Sequence, residues 1–158
     1  MIMNVLRHIL NSIHMVMHLL IGLILAQIVT NLHSIFTIQY FLLPAIIGSF
    51  LPDLDHMLYF YTYGKQNPYS KNIRKLLKRG NVIGFVQYCV NHHKELTCLY
   101  SHSIISMMIF LTLGLMILYL QYLWWSVLLL SVAGHFLYDM LEDIMLLGRL
   151  NKNWTRNL

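Results

Sequence analysis

The chain has 158 residues, of which 58% are hydrophobic and only 11% are charged, well below the roughly 25% charged residues of an average soluble domain. This composition excludes an ordinary soluble domain and predicts an integral membrane protein. The net charge of +5 does not indicate nucleic-acid binding, because the basic residues are grouped beside and between apolar stretches.

Four stretches are nearly free of charge over about the thickness of a bilayer, and we expect each to form a membrane-spanning helix. They cover roughly residues 13–32, 35–52, 103–120 and 122–141. The first resembles a signal peptide, but it is too long and lacks a cleavage site of small residues, so we interpret it as a retained span. We therefore predict a single all-α domain over residues 1–158, a multi-pass transmembrane bundle of about four spanning helices with short interfacial helices.

The basic residues predict the orientation of this bundle. Arg7 precedes the first span, most of the others lie between the second and third spans, and three follow the fourth span. With four spans these regions lie on one side of the membrane, and an excess of Lys and Arg marks the cytoplasmic side. We expect both termini in the cytoplasm and the protein in a bacterial or archaeal plasma membrane.

A basic cytoplasmic loop is expected from about residue 64 to residue 100. Within it, "IRKLLKRG" predicts a short amphipathic helix that ends at Gly80. This helix either contacts anionic lipid headgroups or is part of an ordinary cytoplasmic loop. The following "NVIGFVQYCV" is too short to span and predicts a re-entrant or interfacial helix, or one that packs against the bundle.

All six acidic residues lie close to a histidine in the sequence. The predicted topology brings these groups from all four spans to the same cytoplasmic face. Charged groups at bilayer depth cost about 2.5–3.5 kcal/mol each on insertion scales, so they normally face a bundle interior and pair or bind a ligand. We expect that ligand to be a metal ion. The candidate metal ligands are His14, His18, Asp53, Asp55, His56, His93, His102, His135 and Asp139.

Helical spacing supports this set. His14 and His18 are four residues apart, as are His135 and Asp139, so each pair projects from one face of its helix. Pro52 favours a first helical turn, so the second span is expected to break there.

Single residues also have simpler explanations. His14 or His18 alone fits a hydrogen-bonded interior residue, and Asp53 alone fits a helix cap. One of His92 and His93 is expected to lie at the surface or behind a ligand. For Glu142 and Asp143, which complete a polar stripe with His135 and Asp139, we favour a solvated position at a helix end.

Four short motifs resemble the YdjM-like family of predicted membrane-bound metal-dependent hydrolases and its small uncharacterised relatives. They are H-x3-H in the first span, D-L-D-H after the second, S-H-S at the start of the third and G-H-x3-D in the fourth. The matching residues are His14, His18, Asp53, Asp55, His56, Ser101, His102, Ser103, Gly134, His135 and Asp139. The resemblance covers most of the chain and implies a multi-pass helical protein with a divalent metal site.

The chain departs from the family at one motif. The family's central motif usually reads H-R-G-x-T-H-S, whereas "HHKELTCLYSHS" places His93 nine residues before His102, with Lys94 in place of the arginine. A phosphate-binding arginine is therefore not carried over to this chain.

Imidazole and carboxylate ligands together favour Zn, Mn or Fe over Mg and Ca, and zinc is the first expectation. The candidate ligands are enough for one or two ions. We predict a metal-dependent hydrolase with its site at the cytoplasmic membrane face, which acts on a phospholipid or another amphipathic phosphoester, with Asp55 as general base. Membrane lipid is thus the expected partner. The alternative is a divalent-metal-binding membrane protein or transporter without hydrolytic activity, and a third is a bundle with purely structural polar pairs.

Overall fold

The computed structural model describes residues 2–34, 36–92 and 98–155, without the side chains of residues 2–12 and Val90. These residues form α-helices and a 3-10 turn, with no strand among them, so the all-α prediction is confirmed for the described chain. The helices are α1 (Ile2–Leu32), α2 (Ile38–Phe50), α3 (Leu54–Tyr61), α4 (Pro68–Lys78), α5 (Val82–His92), α6 (Ile104–Tyr119), α7 (Leu123–Leu147) and α8 (Lys152–Thr155), and the 3-10 turn is Leu51–Asp53.

Two stretches of the described chain are long and apolar enough to cross a membrane, Ile13–Leu32 and Ile38–Tyr61. Only 22% and 39% of their most apolar windows are buried inside the protein, so both present apolar side chains outwards, unlike the core helices of a soluble protein. α6 is apolar but has 16 residues. Length and composition therefore support two of the four predicted spans, and the four-span bundle stays a prediction.

The second apolar stretch breaks at Pro52, as the sequence predicts. α2 ends at Phe50, the 3-10 turn contains Pro52, and α3 follows directly. Asp53 makes no side-chain capping hydrogen bond at the start of α3, so the alternative explanation of Asp53 as a helix cap is wrong. The break leaves Asp53 free to face α7.

α7 is the central helix, and it packs against α1, α2 and α6. Small residues allow these helices to approach closely. A Cβ atom on Gly48 would lie 2.3 Å from the Leu128 carbonyl oxygen, and one on Gly22 would lie 2.2 Å from Ser49 Oγ. The close contact brings the backbone of α2 at Ser49 within reach of α7.

The predicted loop contains two helices, α4 and α5, that pack against each other and against α3. Asn67 caps α4 by accepting a hydrogen bond from the Tyr69 amide at 2.9 Å, and Gly80 ends it with a φ of +64°. The two short helices predicted between residues 64 and 100 are thus confirmed as helices.

Candidate metal centre

Two helices and the short segment before a third bring imidazole and carboxylate groups to one point. α1 carries His14 and His18, α7 carries His135 and Asp139, and His102 lies just before α6. Their ligand atoms form two groups, His14–His18–Asp139 and His102–His135–Asp139, and within each group the atoms lie within 4.8 Å of one another. We call these five residues the His/Asp cluster.

Asp139 lies at the centre of the cluster and turns one oxygen to each group. Its Oδ1 is 3.4 Å from His18 Nε2 and 3.9 Å from His14 Nε2. Its Oδ2 is 3.4 Å from His102 Nε2 and 3.3 Å from His135 Nε2. A single carboxylate therefore joins two histidine pairs.

The spacing of the donor atoms fits metal ligation. Two atoms bound to one tetrahedral zinc at about 2.0–2.1 Å lie about 3.4 Å apart. Three of the four separations around Asp139, at 3.3–3.4 Å, match this edge, and His14 Nε2 lies farther from Oδ1, at 3.9 Å. His14 Nε2 and His18 Nε2 are 3.1 Å apart. In addition, His102 Nε2, His135 Nε2 and Asp139 Oδ1 are buried without a hydrogen bond of good geometry. Buried polar atoms normally have partners, so these three point to a missing ligand.

Three of the four imidazole rings have a polar partner at Nδ1, the ring nitrogen directed away from Asp139, and this partner orients the ring. His135 Nδ1 donates to the Ser49 carbonyl oxygen at 2.7 Å. His14 Nδ1 lies 3.2 Å and 3.1 Å from the two oxygens of Glu142. A proton on Nδ1 leaves the lone pair of Nε2 directed at Asp139, which is the usual arrangement of a metal-binding histidine and its outer partner.

His102 is held in the same way through Ser101. The Ser101 Oγ lies 3.0 Å from His102 Nδ1 and donates to Asp55 Oδ2 at 2.9 Å, and the Ser101 amide donates to the same oxygen at 2.8 Å. Ser103 caps α6 by accepting from the Ser106 amide at 3.1 Å. The S-H-S motif thus places His102 between an anchor to Asp55 and the start of a helix.

Asp55 lies on the far side of His102 from the cluster. Its Oδ2 is 3.9 Å from His102 Nδ1, and its Oδ1 accepts a hydrogen bond of 2.5 Å from the Tyr63 hydroxyl. Burial is the main reason that the pKa of Tyr63 is raised above its ordinary value, and the hydrogen bond to the Asp55 carboxylate raises it further. Asp55 therefore lies on the Nδ1 side of the His102 ring, whereas Asp139 and the other donor atoms lie on its Nε2 side.

The carboxylates also make the cluster attractive for cations. Burial alone would lower the pKa of His102, but Asp139 and Asp55 outweigh it and raise the pKa to about 9. A proton or a divalent metal ion is stabilised at this point for the same electrostatic reason.

The remaining predicted ligands occupy the edge of the cluster or fall outside the description. Asp53 Oδ1 is 3.8 Å from His135 Nε2, and the Asp53 side chain is 29% exposed. The half-buried ring of His56 meets that of His102 edge-on at 5.1 Å, outside both groups of donor atoms. His93 lies outside the described residues.

The sequence interpretation of Glu142 and Asp143 as solvated is wrong. They are 1% and 2% exposed, because α7 continues past Asp139 with the same face packed against the protein. Glu142 contacts His14, and Asp143 accepts hydrogen bonds from Trp154 Nε1 at 2.7 Å and from a backbone amide near the start of α8. Their position seven and eight residues after His135 is the sequence signal that indicates the common face.

Comparison with known proteins identifies a family for the chain but no individual curated protein or solved structure. No curated protein and no solved structure matches the chain. A family model, described as YdjM inner membrane protein, matches residues 13–145, which include the whole His/Asp cluster. Because the match covers most of the chain and bears out the resemblance of the four motifs, the protein belongs to the YdjM inner membrane protein family.

Proposed function

We propose that the protein is a membrane-embedded hydrolase that holds two divalent metal ions, one on each side of Asp139, and cleaves an amphipathic phosphoester such as a phospholipid. The observation that carries this proposal is the division of the Asp139 carboxylate between two histidine pairs, with each oxygen within 3.9 Å of two Nε2 atoms. Carboxylates that join two ions are suited to two-metal sites, whose ions lie about 3.5–4 Å apart.

Each half of the cluster fits one ion. His14 and His18 with Asp139 Oδ1 supply three ligands, and His102 and His135 with Asp139 Oδ2 supply three more. Two imidazoles and a carboxylate form a known set for catalytic zinc, in which the fourth position is left for water or substrate. Zinc is the first candidate, and manganese or iron suits the same donors.

The bound ions would supply Lewis acidity, activating water and polarising a phosphoryl oxygen. The protein supplies orientation through Ser49, Glu142 and Ser101, which fix the three rings from behind. A proton acceptor must reach the open side of the site. Asp53 fits this role better than Asp55, because Asp53 lies beside His135 with a buried oxygen that makes no hydrogen bond, whereas both oxygens of Asp55 are bound by Tyr63 and Ser101.

The same proposal places α6 and α7 across the membrane with α1 and α2. α7 has 25 residues, about 37 Å of helix at 1.5 Å per residue. At the end of the bundle away from the cluster, exposed aromatic side chains such as Tyr40, Tyr119, Tyr122 and Trp125 suit a membrane interface. The basic residues of α4 lie in the segment of the chain that joins α3 to His102. An excess of basic residues in this segment supports a cytoplasmic site and cytoplasmic termini.

Cysteine labelling tests this orientation. In a background with Cys89→Ser and Cys98→Ser, we expect Ser34→Cys to react with a membrane-impermeant thiol reagent added outside intact cells. Lys71→Cys should react only after the membrane is permeabilised. Labelling of both positions from the same side would contradict the four-span topology.

The metal-transporter alternative is less well supported. A transport path needs polar groups through the bilayer. The described core beyond the cluster is instead filled by buried apolar side chains that include Val29, Phe41, Leu123 and Val127. We therefore expect phosphoester turnover without metal flux in liposomes, and flux without turnover would favour the transporter.

Elemental analysis of the detergent-purified protein tests the proposal. We expect about two ions per chain in the wild type and loss of metal in Asp139→Asn. Asp143→Asn is the matched control, since it changes a buried carboxylate of the same helix that binds Trp154 and belongs to neither group of donor atoms. Less than about a tenth of an ion per wild-type chain after purification without chelator would contradict the proposal, since a structural or catalytic ion binds with high affinity.

A further inference from the structure

An apolar groove runs along the side of the bundle next to the His/Asp cluster. It has a volume of about 620 Å³, within the range of about 300–1,000 Å³ that is usual for small-molecule sites. α7 forms its floor with Val132 and Phe136, α3 forms one wall with Leu54 and Leu58, and α6 contributes Phe110. The groove is therefore a gap between α3 and α6 over the central helix.

One end of the groove lies beside the residues that hold His102 in place. Asp55, Tyr63 and Ser101 line it there, and Asp55 and Ser101 are the residues that hold His102. On the floor, the ring of Phe136 meets the ring of His102 edge-on at 5.3 Å. The groove thus changes from apolar to polar towards the Nδ1 side of His102, where Asp55 and Ser101 lie.

The outer rim of the groove is apolar and exposed. Leu54 and Leu58 are each 56% exposed and belong to the stretch Ile38–Tyr61 that is suited to cross a membrane. An apolar rim of this kind is unfavourable in water but is compatible with lipid. For a member of an inner membrane protein family, the hydrocarbon that suits an exposed apolar rim is the acyl chain of a lipid.

We propose that the groove binds one hydrocarbon chain of an amphipathic substrate that enters sideways from the bilayer, so that the polar headgroup lies at the His102 end. This inference rests on the proposed hydrolase function for the fate of the headgroup. The binding of the chain depends only on the groove.

Photocrosslinking tests chain binding without activity. The probe is a phosphatidylglycerol with a diazirine near the end of one acyl chain, incorporated with the full-length protein into liposomes. We expect labelled peptides to be concentrated in α3, α6 and the middle of α7. Labelling spread evenly around the apolar surface would overturn the proposal.

A matched pair of variants identifies the groove. Leu54→Trp adds bulk at the rim, whereas Leu43→Trp adds the same bulk on α2 at a side chain that is 58% exposed and does not line the groove. We expect Leu54→Trp to reduce groove labelling several-fold and Leu43→Trp to leave it unchanged, with the same metal content in both proteins. Equal labelling of both variants would contradict the groove as the site.

Turnover separates this proposal from the proposed function. Where both are right, Leu54→Trp lowers kcat/KM for a long-chain phosphoester and not for a short-chain one. Groove labelling that is sensitive to Leu54→Trp, without any turnover, supports the chain site and contradicts the hydrolase. Turnover of long and short esters at equal rates, with even labelling, contradicts the chain site and supports the hydrolase.

Discussion

The two ends of the bundle formed by α1, α2, α6 and α7 are buried to the same degree but are built from opposite chemistry. At one end the core consists of apolar side chains such as Val29, Phe41 and Val127, each at most 1% exposed. At the other end His135 and Asp139 are 1% and 6% exposed. Burial of ionisable groups costs several kcal/mol per ion unless each is paired and hydrogen-bonded. The apolar end therefore needs only its own packing, whereas the polar end needs partners for its ionisable groups, which the proposed metal ions would supply.

The largest expected effect comes from substituting one buried ring at each end. His135→Ala should lose the ion of its group and reduce hydrolysis to background, because it removes a donor to that ion. Phe41→Ala should lower the free energy of unfolding by about 3–5 kcal/mol and leave the metal content of the folded fraction unchanged. Metal analysis and thermal unfolding of both variants measure the two effects, and metal loss in Phe41→Ala would remove the distinction.

Metal removal should destabilise the polar end specifically. A ligand that binds only the folded state at about 1,000 times its Kd contributes about 4 kcal/mol to the free energy of unfolding. We therefore expect a chelator to lower the Tm of the wild type. The Tm of Asp139→Asn should not respond to the chelator, and an equal response in both proteins would argue against ligation at the cluster.

A smaller effect is expected from the groups behind the histidines. Glu142→Gln removes the carboxylate at His14 Nδ1 and should weaken metal affinity or activity by about 10–100-fold, as is typical of such partners. Asp143→Asn is the control, because its carboxylate binds Trp154. Asp143→Asn should lower thermal stability, whereas its metal affinity, measured by competition with a chelating dye, should equal that of the wild type. The reverse result would assign Glu142 a purely structural role.

The smallest effect is expected at Tyr63, which acts on His102 only through Asp55 and Ser101. Tyr63→Phe removes the hydrogen bond that the hydroxyl donates to the Asp55 carboxylate, worth about 1.5–3 kcal/mol at most. It also removes the bond that the hydroxyl accepts from the Tyr100 amide, at an exposed part of the chain. We expect a loss of metal affinity smaller than that of Glu142→Gln. Tyr61→Phe, at an exposed residue of α3, should change nothing, and an equal loss in both tyrosine variants would contradict the contact.

The sequence predicts the parts of the centre that follow from helix geometry. The i,i+4 spacing of His14 with His18 and of His135 with Asp139 requires each pair to share a helix face, and alternating helix directions require these pairs to lie at one end. The structure brings these four residues together with His102. The break at Pro52 is equally local, because proline restricts the backbone wherever it lies.

Other features depend on contacts distant in sequence. Ser101, 46 residues away in the sequence, holds Asp55 on the Nδ1 side of His102. The spacing of residues along one helix cannot predict this contact. The burial of Glu142 is of the same kind, because the sequence does not reveal that His14 of α1, 128 residues away, packs beside it. The predicted span at residues 103–120 contains α6 together with its two cap residues, Ser103 and Leu120, so the helix itself has 16 residues.

The central claim is that Asp139 joins two metal ions, and electron paramagnetic resonance of the manganese-reconstituted protein tests it most directly. The account predicts a spectrum of exchange-coupled Mn²⁺ pairs in the wild type, and loss of the coupled signal in Asp139→Asn with Asp143→Asn unchanged. A wild-type spectrum of isolated Mn²⁺ only, at full loading, would contradict the two-metal centre.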